Sequence, residues 1–232
     1  ADRTINSELI PLKLSIEEDF DVIHFHNKYF DCKKPGVITY HSPCSYVDLK
    51  FQGKKTVVAQ YHAELQCYKD CSLVKNIIDF YDEEYHFKKN AANIKIGFSP
   101  SSKLSGINQV ESKGYNQTVE ILYRLKSKFP IEIDIIEGVP LSECVKRKSE
   151  CNIIIDECIT DSYHRSGLEG LALGKMTICS LSKGVEKIFL SVSKSATIPF
   201  ENVGIKELYD YLEKTINCGL EPILKKGENN RI

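Results

Sequence analysis

The chain has 232 residues, 42% of them apolar and 27% charged, with 31 basic side chains against 32 acidic ones. That length can bury a sizeable core in one large or two small domains, and the near-balance of charge gives no support to nucleic acid or a charged membrane surface as a general partner. No apolar stretch approaches the roughly 18–20 residues that cross a bilayer and no leader pattern opens the chain, so a soluble, cytoplasmic protein is expected.

In the first half, apolar runs predict strands over 20–26, 36–40, 56–61 and 74–80, separated by mixed segments at 46–53 and 64–71 that fit helix or loop. Polar Lys88, Lys89, Asn90 and Asn93 read as a linker, which divides the chain into domains 1–92 and 93–232. The second half alternates more regularly. It predicts strand 94–98, helix 116–129, strand 131–136, helix 141–148, strand 152–156, helix 166–173, strand 176–179, helix 185–192, a short extended segment at 196–198 and helix 205–216. Val119, Leu122, Leu125 and Phe129 fall at helical spacing, so that helix lays an apolar stripe on a sheet. Repeated alternation of strand and helix implies a parallel sheet covered on both faces. The segment 225–231 reads as a polar tail.

Nine cysteines form no metal-like or disulfide-like pattern. Cys151, Cys158 and Cys179 sit in or beside predicted buried strands, where a thiol behaves as a small apolar group. Cys67 and Cys71 would stack on one helix face, and reduced thiols are expected throughout.

Candidate chemistry gathers after two of the second-half strands. The loop after 94–98 carries Ser99, Pro100, Ser101, Ser102 and Lys103, then Glu111, Ser112, Lys113 and Gly114. Hydroxyls, backbone N–H groups and two lysines after a parallel strand suit a diphosphate. Asp161 and Glu169 bracket the start of the helix 166–173, where unpaired N–H groups face an anion and a carboxylate can accept from sugar hydroxyls. Ser166 and Glu169 also have the spacing of a capping box, so Glu169 has a purely structural reading beside the functional one. In the first half, His24 and His26 point to one face of a strand, a geometry metals can use, but no acid or cysteine recurs beside them at ligand spacing and no metal is assigned. His62 directly follows the strand 56–61 and is placed to meet a hydroxylated ligand or share a proton.

Taken together these pieces resemble a GT-B glycosyltransferase of the retaining family 4 type, over most of the chain from Asp21 to about Asn217. Asp21-Val-Ile-His-Phe-His26 resembles the D-V-I-H-x-H strand of that family's first domain, and Thr56-Val-Val-Ala-Gln-Tyr-His62 the strand leading to its active-site histidine. Ser99-Pro-Ser-Ser-Lys103 with Lys113-Gly114 resembles the S-P-S-x-R and K-G elements. Asp161 to Glu169 matches the spacing of E-x7-E, and Leu168-Glu-Gly-Leu-Ala-Leu-Gly-Lys175 is close to L-E-A-M-A-x-G-K.

The resemblance implies an α/β fold of two Rossmann-like domains, the first truncated or compact, with an acceptor-side domain followed by a nucleotide-sugar-binding one. It implies that Ser101, Lys103, Lys113 and Gly114 bind the diphosphate, that Asp161 contacts the donor sugar, that Glu169 holds the ribose, and that His62 lies beside the reacting sugar. The implied activity is metal-independent transfer of a sugar from a nucleotide-diphosphate donor such as a UDP- or GDP-sugar, with retention. No cofactor is needed, and the acceptor is a glycan, a lipid-linked sugar or a protein. A peripheral membrane contact or a homo-oligomer contact stays open. The sequence departs from the family pattern at Asp161 (usually Glu), at Lys103 (usually Arg), in the insertion 104–112, and in the absence of the first domain's opening strands and glycine-rich turn. These departures keep a second reading in play, a non-catalytic relative that binds nucleotide sugar or stabilises a partner. A hydrolase using a metal on the first-half histidines is the third.

Overall fold

The computed structural model describes residues 21–31, 33–79, 81–88, 93–100 and 113–231. Ser101 and Lys103, with the rest of the insertion 104–112, lie outside them. The described residues divide into two compact units: those of 21–76 with Lys183–Ala196, and those of 77–182 with 197–231. Each holds one parallel sheet, and both units are Rossmann-like α/β layers.

The first unit has four short strands, β1 (Ile23–His26), β2 (Gly36–Tyr40), β3 (Lys54–Val58) and β4 (Ser72–Val74), paired in that order and all parallel. Among the described residues its connections carry only 3-10 turns, at Cys44–Tyr46, Tyr61–Glu64 and Gln66–Tyr68. The expected strand 74–80 shrinks to the end of β4. The core comes from alternate strand residues, Phe25, Ile38, Tyr40 and Val57, with Phe51 and Tyr68 closing over them. A disulfide joins Cys44 to Cys67, in contrast to the reduced thiols expected. It ties the β2–β3 connection to the β3–β4 connection, as does Tyr68, whose hydroxyl donates to the Ser42 carbonyl at 2.6 Å.

The second unit contains β5 (Lys95–Phe98), β6 (Glu132–Ile135), β7 (Ile153–Glu157), β8 (Met176–Cys179) and β9 (Glu201–Asn202), all parallel in the order β6-β5-β7-β8-β9. Every residue of β7 and β8 is buried, as a continuous apolar run in a parallel sheet requires. Around the sheet run α1 (Tyr115–Lys128), α2 (Leu141–Ser149), α3 (Arg165–Ala172), α5 (Leu208–Asn217) and α6 (Leu220–Asn229), while α4 (Lys183–Ser193) belongs to the first unit. Leu122 and Leu125 of α1 meet Ile96 and Phe98, and Leu208, Leu212 and Ile216 of α5 join the same core. α1 ends where Phe129 turns extended before Pro130, because a residue preceding proline disfavours the helical region.

The segment read as a polar tail is instead part of α6, which docks Ile223 and Leu224 against the unit while Lys225 and Lys226 stay outside. The extended piece expected at 196–198 is displaced to β9.

Candidate functional site at the carboxyl ends of β5 and β7

The strand order of the second sheet reverses between β5 and β7: the chain moves from β5 outward to β6, then returns to add β7, β8 and β9 on the other side. Loops leaving the carboxyl ends of the two central strands diverge there, and open α/β sheets bind ligands in the crevice this makes. The loop after β5 ends at Lys113 and Gly114. The loop after β7 runs from Cys158 to His164 and opens α3.

Lys113 and Gly114 both take left-handed backbone angles, φ 52° and 66°, immediately before α1. Such a conformation is strained for lysine and free for glycine. A Cβ on Gly114 would also overlap the Ile159 side chain from the second loop. Lys113 points inward, and its Nζ donates to Asp156 Oδ1 at 2.8 Å, with Lys113 5% exposed and Asp156 fully buried. The other oxygen, Oδ2, accepts from the His164 backbone N–H at 2.5 Å, and the His164 ring Nδ1 stands 3.7 Å away. Burial alone would raise the Asp156 carboxyl, but the Lys113 ammonium and His164 override it and hold the group well below the usual carboxylate range. Gly167 lets α3 settle over this carboxylate, since a Cβ there would come 2.8 Å from Asp156 Oδ2.

Glu157 organises the rest of the loop. Its carboxylate accepts from the backbone N–H groups of Ile159, Thr160 and Ser162 at 2.9, 2.7 and 3.3 Å. The loop so folded places Asp161 at φ 55° and exposed. Ser180 Oγ donates to the Asp161 carboxylate, and Ser182 N donates to its carbonyl at 2.9 Å.

Glu169 sits one turn into α3 and is buried. Its Oε2 accepts from Lys148 Nζ at 2.7 Å, and its Oε1 from Arg165 Nε at 3.0 Å. Lys148 is 1% exposed and also donates to Ser166 Oγ at 2.9 Å. The capping-box reading of Ser166 and Glu169 is therefore overturned: α3 starts at Arg165, its N-cap is His164, and no side chain caps it. Lys148 at the end of α2 competes for the carboxylate and wins, because a buried ammonium needs a counter-charge more than a helix start needs a cap.

The second unit thus carries Lys113, Gly114, Asp161 and Glu169 on the segments that follow β5 and β7. His62 belongs to the other unit, in the 3-10 turn after β3, where it is 5% exposed and its ring centre lies 3.8 Å from that of Tyr61. Sequence reasoning missed Asp156 as the partner of Lys113, Lys148 as the partner of Glu169, and Arg165, whose side chain is 45% exposed. An acid closing a central strand was the one available signal for Asp156. Arg165 had one too, a cation four residues before a glutamate on a helix.

No family model and no curated protein matches the sequence. Among solved structures the chain is similar to a glycosyltransferase from Rickettsia africae ESF-5, with a TM-score of 0.55 and 17% identity, over 94% of this chain and 73% of that one. The two share a fold. Among the described residues no helix is long and apolar enough to cross a membrane.

Proposed function

We propose that the chain is a glycosyltransferase that moves a sugar from a nucleotide-diphosphate donor to a glycan, lipid-linked or protein acceptor, with retention and without a metal. One observation carries this reading: at the strand-order reversal, the Lys113-Gly114 turn after β5 stands beside the β7 loop and α3, which present Asp161 and Glu169. A likeness in fold to a glycosyltransferase supports it.

In this reading the diphosphate lies at the start of α3, favoured by the positive end of the helix dipole and by Arg165, whose side chain is 45% exposed. Lys113 and Arg165 each have a carboxylate partner, but Lys113 is buried and Arg165 is exposed, so Arg165 takes the part assigned from sequence to Lys113, and the Lys113-Gly114 turn shapes the floor beside it. Ser101 and Lys103 remain donors to the diphosphate. Glu169, oriented from below by Lys148, accepts from ribose hydroxyls, and Asp161 accepts from the donor sugar. Fixed positive charge at the leaving diphosphate supplies the main stabilisation as the glycosidic bond breaks. For His62, the resemblance in sequence alone suggests a role toward the reacting sugar.

A second reading, a non-catalytic binder, is favoured by a specific feature. Lys113 and Glu169 both engage internal partners, as structural ion pairs do. Turnover separates the two. Release of nucleoside diphosphate from a panel of nucleotide sugars, unaffected by chelator and lost in Glu169→Gln, supports the transferase. Binding of nucleotide sugar without release supports the second reading.

A further inference from the structure

The face of β1 opposite its core carries chemistry that sugar transfer does not use. Side chains alternate along a strand. Phe25 of β1, and Ile38 and Tyr40 of β2, enter the first unit's core, so His24, His26 and Thr39 fall on the other face. His24 and His26 are exposed, with ring centres 4.5 Å apart, and the ring of His41 lies 5.6 Å from that of His26.

A chain of hydrogen bonds fixes the proton on His24. The Thr56 hydroxyl donates to the Ile38 carbonyl at 3.0 Å, so the contact of 2.8 Å between the Thr39 and Thr56 hydroxyls must use the Thr39 proton. Thr39 Oγ1 can then only accept at its 2.7 Å contact with His24 Nε2. A neutral His24 is therefore the Nε2–H tautomer, and Nδ1 keeps its lone pair. A metal-binding imidazole is commonly held this way, by a hydrogen bond from the nitrogen that does not bind.

We propose that His24 and His26 chelate one divalent transition cation of the nickel, copper and zinc class, through His24 Nδ1 and a ring nitrogen of His26, with water filling the other positions. With cation–nitrogen distances of about 2.0–2.1 Å and roughly 1.1 Å from nitrogen to ring centre, two imidazoles sharing one cation at about 90–110° have centres about 4.5–5.2 Å apart. The observed separation falls at the near end of that range. Among the described residues no group of three or more His, Cys, Asp or Glu is placed to hold a metal ion, so this is a two-ligand, exchangeable site. Neutral imidazoles without a carboxylate select such cations over magnesium and calcium.

The test is equilibrium dialysis of the tag-free 232-residue chain against nickel chloride. His24→Gln and His26→Gln, both at exposed positions, are compared with His86→Gln as a control outside the site. The expected result is one nickel per wild-type chain at pH 7.5. Affinity should fall at least tenfold in each of His24→Gln and His26→Gln and stay unchanged in His86→Gln. Thr39→Val, which keeps both imidazoles but removes the acceptor that sets the tautomer, should weaken binding by roughly 10–100-fold. Nickel uptake that survives both histidine substitutions, or no uptake by folded wild-type chain, would overturn the proposal.

Discussion

Lys113 Nζ and Asp156 Oδ1 meet at 2.8 Å in the interior of the second unit, joining residues that lie 43 apart in sequence. Removing one partner of a buried ion pair leaves the other charged and unsolvated, which costs about 3–5 kcal/mol. Lys113→Ala is expected to destabilise the chain by that amount in urea unfolding at pH 7. Lys113→Met with Asp156→Leu should recover most of the loss, and a double variant no better than the single one would show that the pair is not the source. Loss of nucleotide affinity in Lys113→Ala must accordingly be read on the folded fraction.

The same pair sets an acid limit. Because the folded Asp156 carboxyl is held below its ordinary value of 3.8, its contribution is full above about pH 4 and is lost as pH falls below that. Acid unfolding monitored by far-UV circular dichroism should shift to higher pH in Lys113→Met, where the carboxylate has lost its cation.

Lys175 provides the opposite dependence. It is buried, its Nζ donates to the Lys88 carbonyl at 2.8 Å, and burial pushes its ammonium down from 10.5 to about 8. The unfolded chain then binds more protons than the folded one between about pH 8 and 10.5, so this residue makes stability rise with pH across that window, by up to roughly 3 kcal/mol. Lys175→Met should flatten the rise. Unfolding free energies measured for both proteins at pH 7.5 and 10 decide the point, and parallel curves would contradict it.

Gly114 is expected to resist substitution. Alanine there must adopt φ near 66° and displace Ile159, costing about 1–3 kcal/mol. Gly114→Ala combined with Ile159→Ala should recover the steric part and leave the backbone part, as thermal unfolding would register.

The second unit was far more legible in the sequence than the first. Its strands are apolar runs closed by turns, and α1 carries a clear stripe, so local pattern and packing agree. In the first unit the strands are three to five residues long and the connections are 3-10 turns, which leave little periodicity to read. α6 escaped because Ile223 and Leu224 carry most of its apolar burial while Lys225, Lys226, Glu228 and Asn229 make the stretch after them polar. Within the site, Lys113, Gly114, Asp161 and Glu169 stood out by local pattern. Their partners did not, because Asp156 and Lys148 are brought in by sheet register and helix packing, which spacing along the chain does not encode.

In the proposed transferase, the start of α3 receives a nucleoside diphosphate. Calorimetric titration of the chain with UDP, GDP and ADP and their sugar conjugates tests it most directly, alongside Arg165→Ala, which changes a half-exposed side chain. Selective binding of one nucleoside diphosphate is expected, weakened at least tenfold in Arg165→Ala, while the corresponding nucleoside binds equally to both proteins. No binding of any of these nucleotides to the folded chain, or equal affinity in Arg165→Ala, would contradict it.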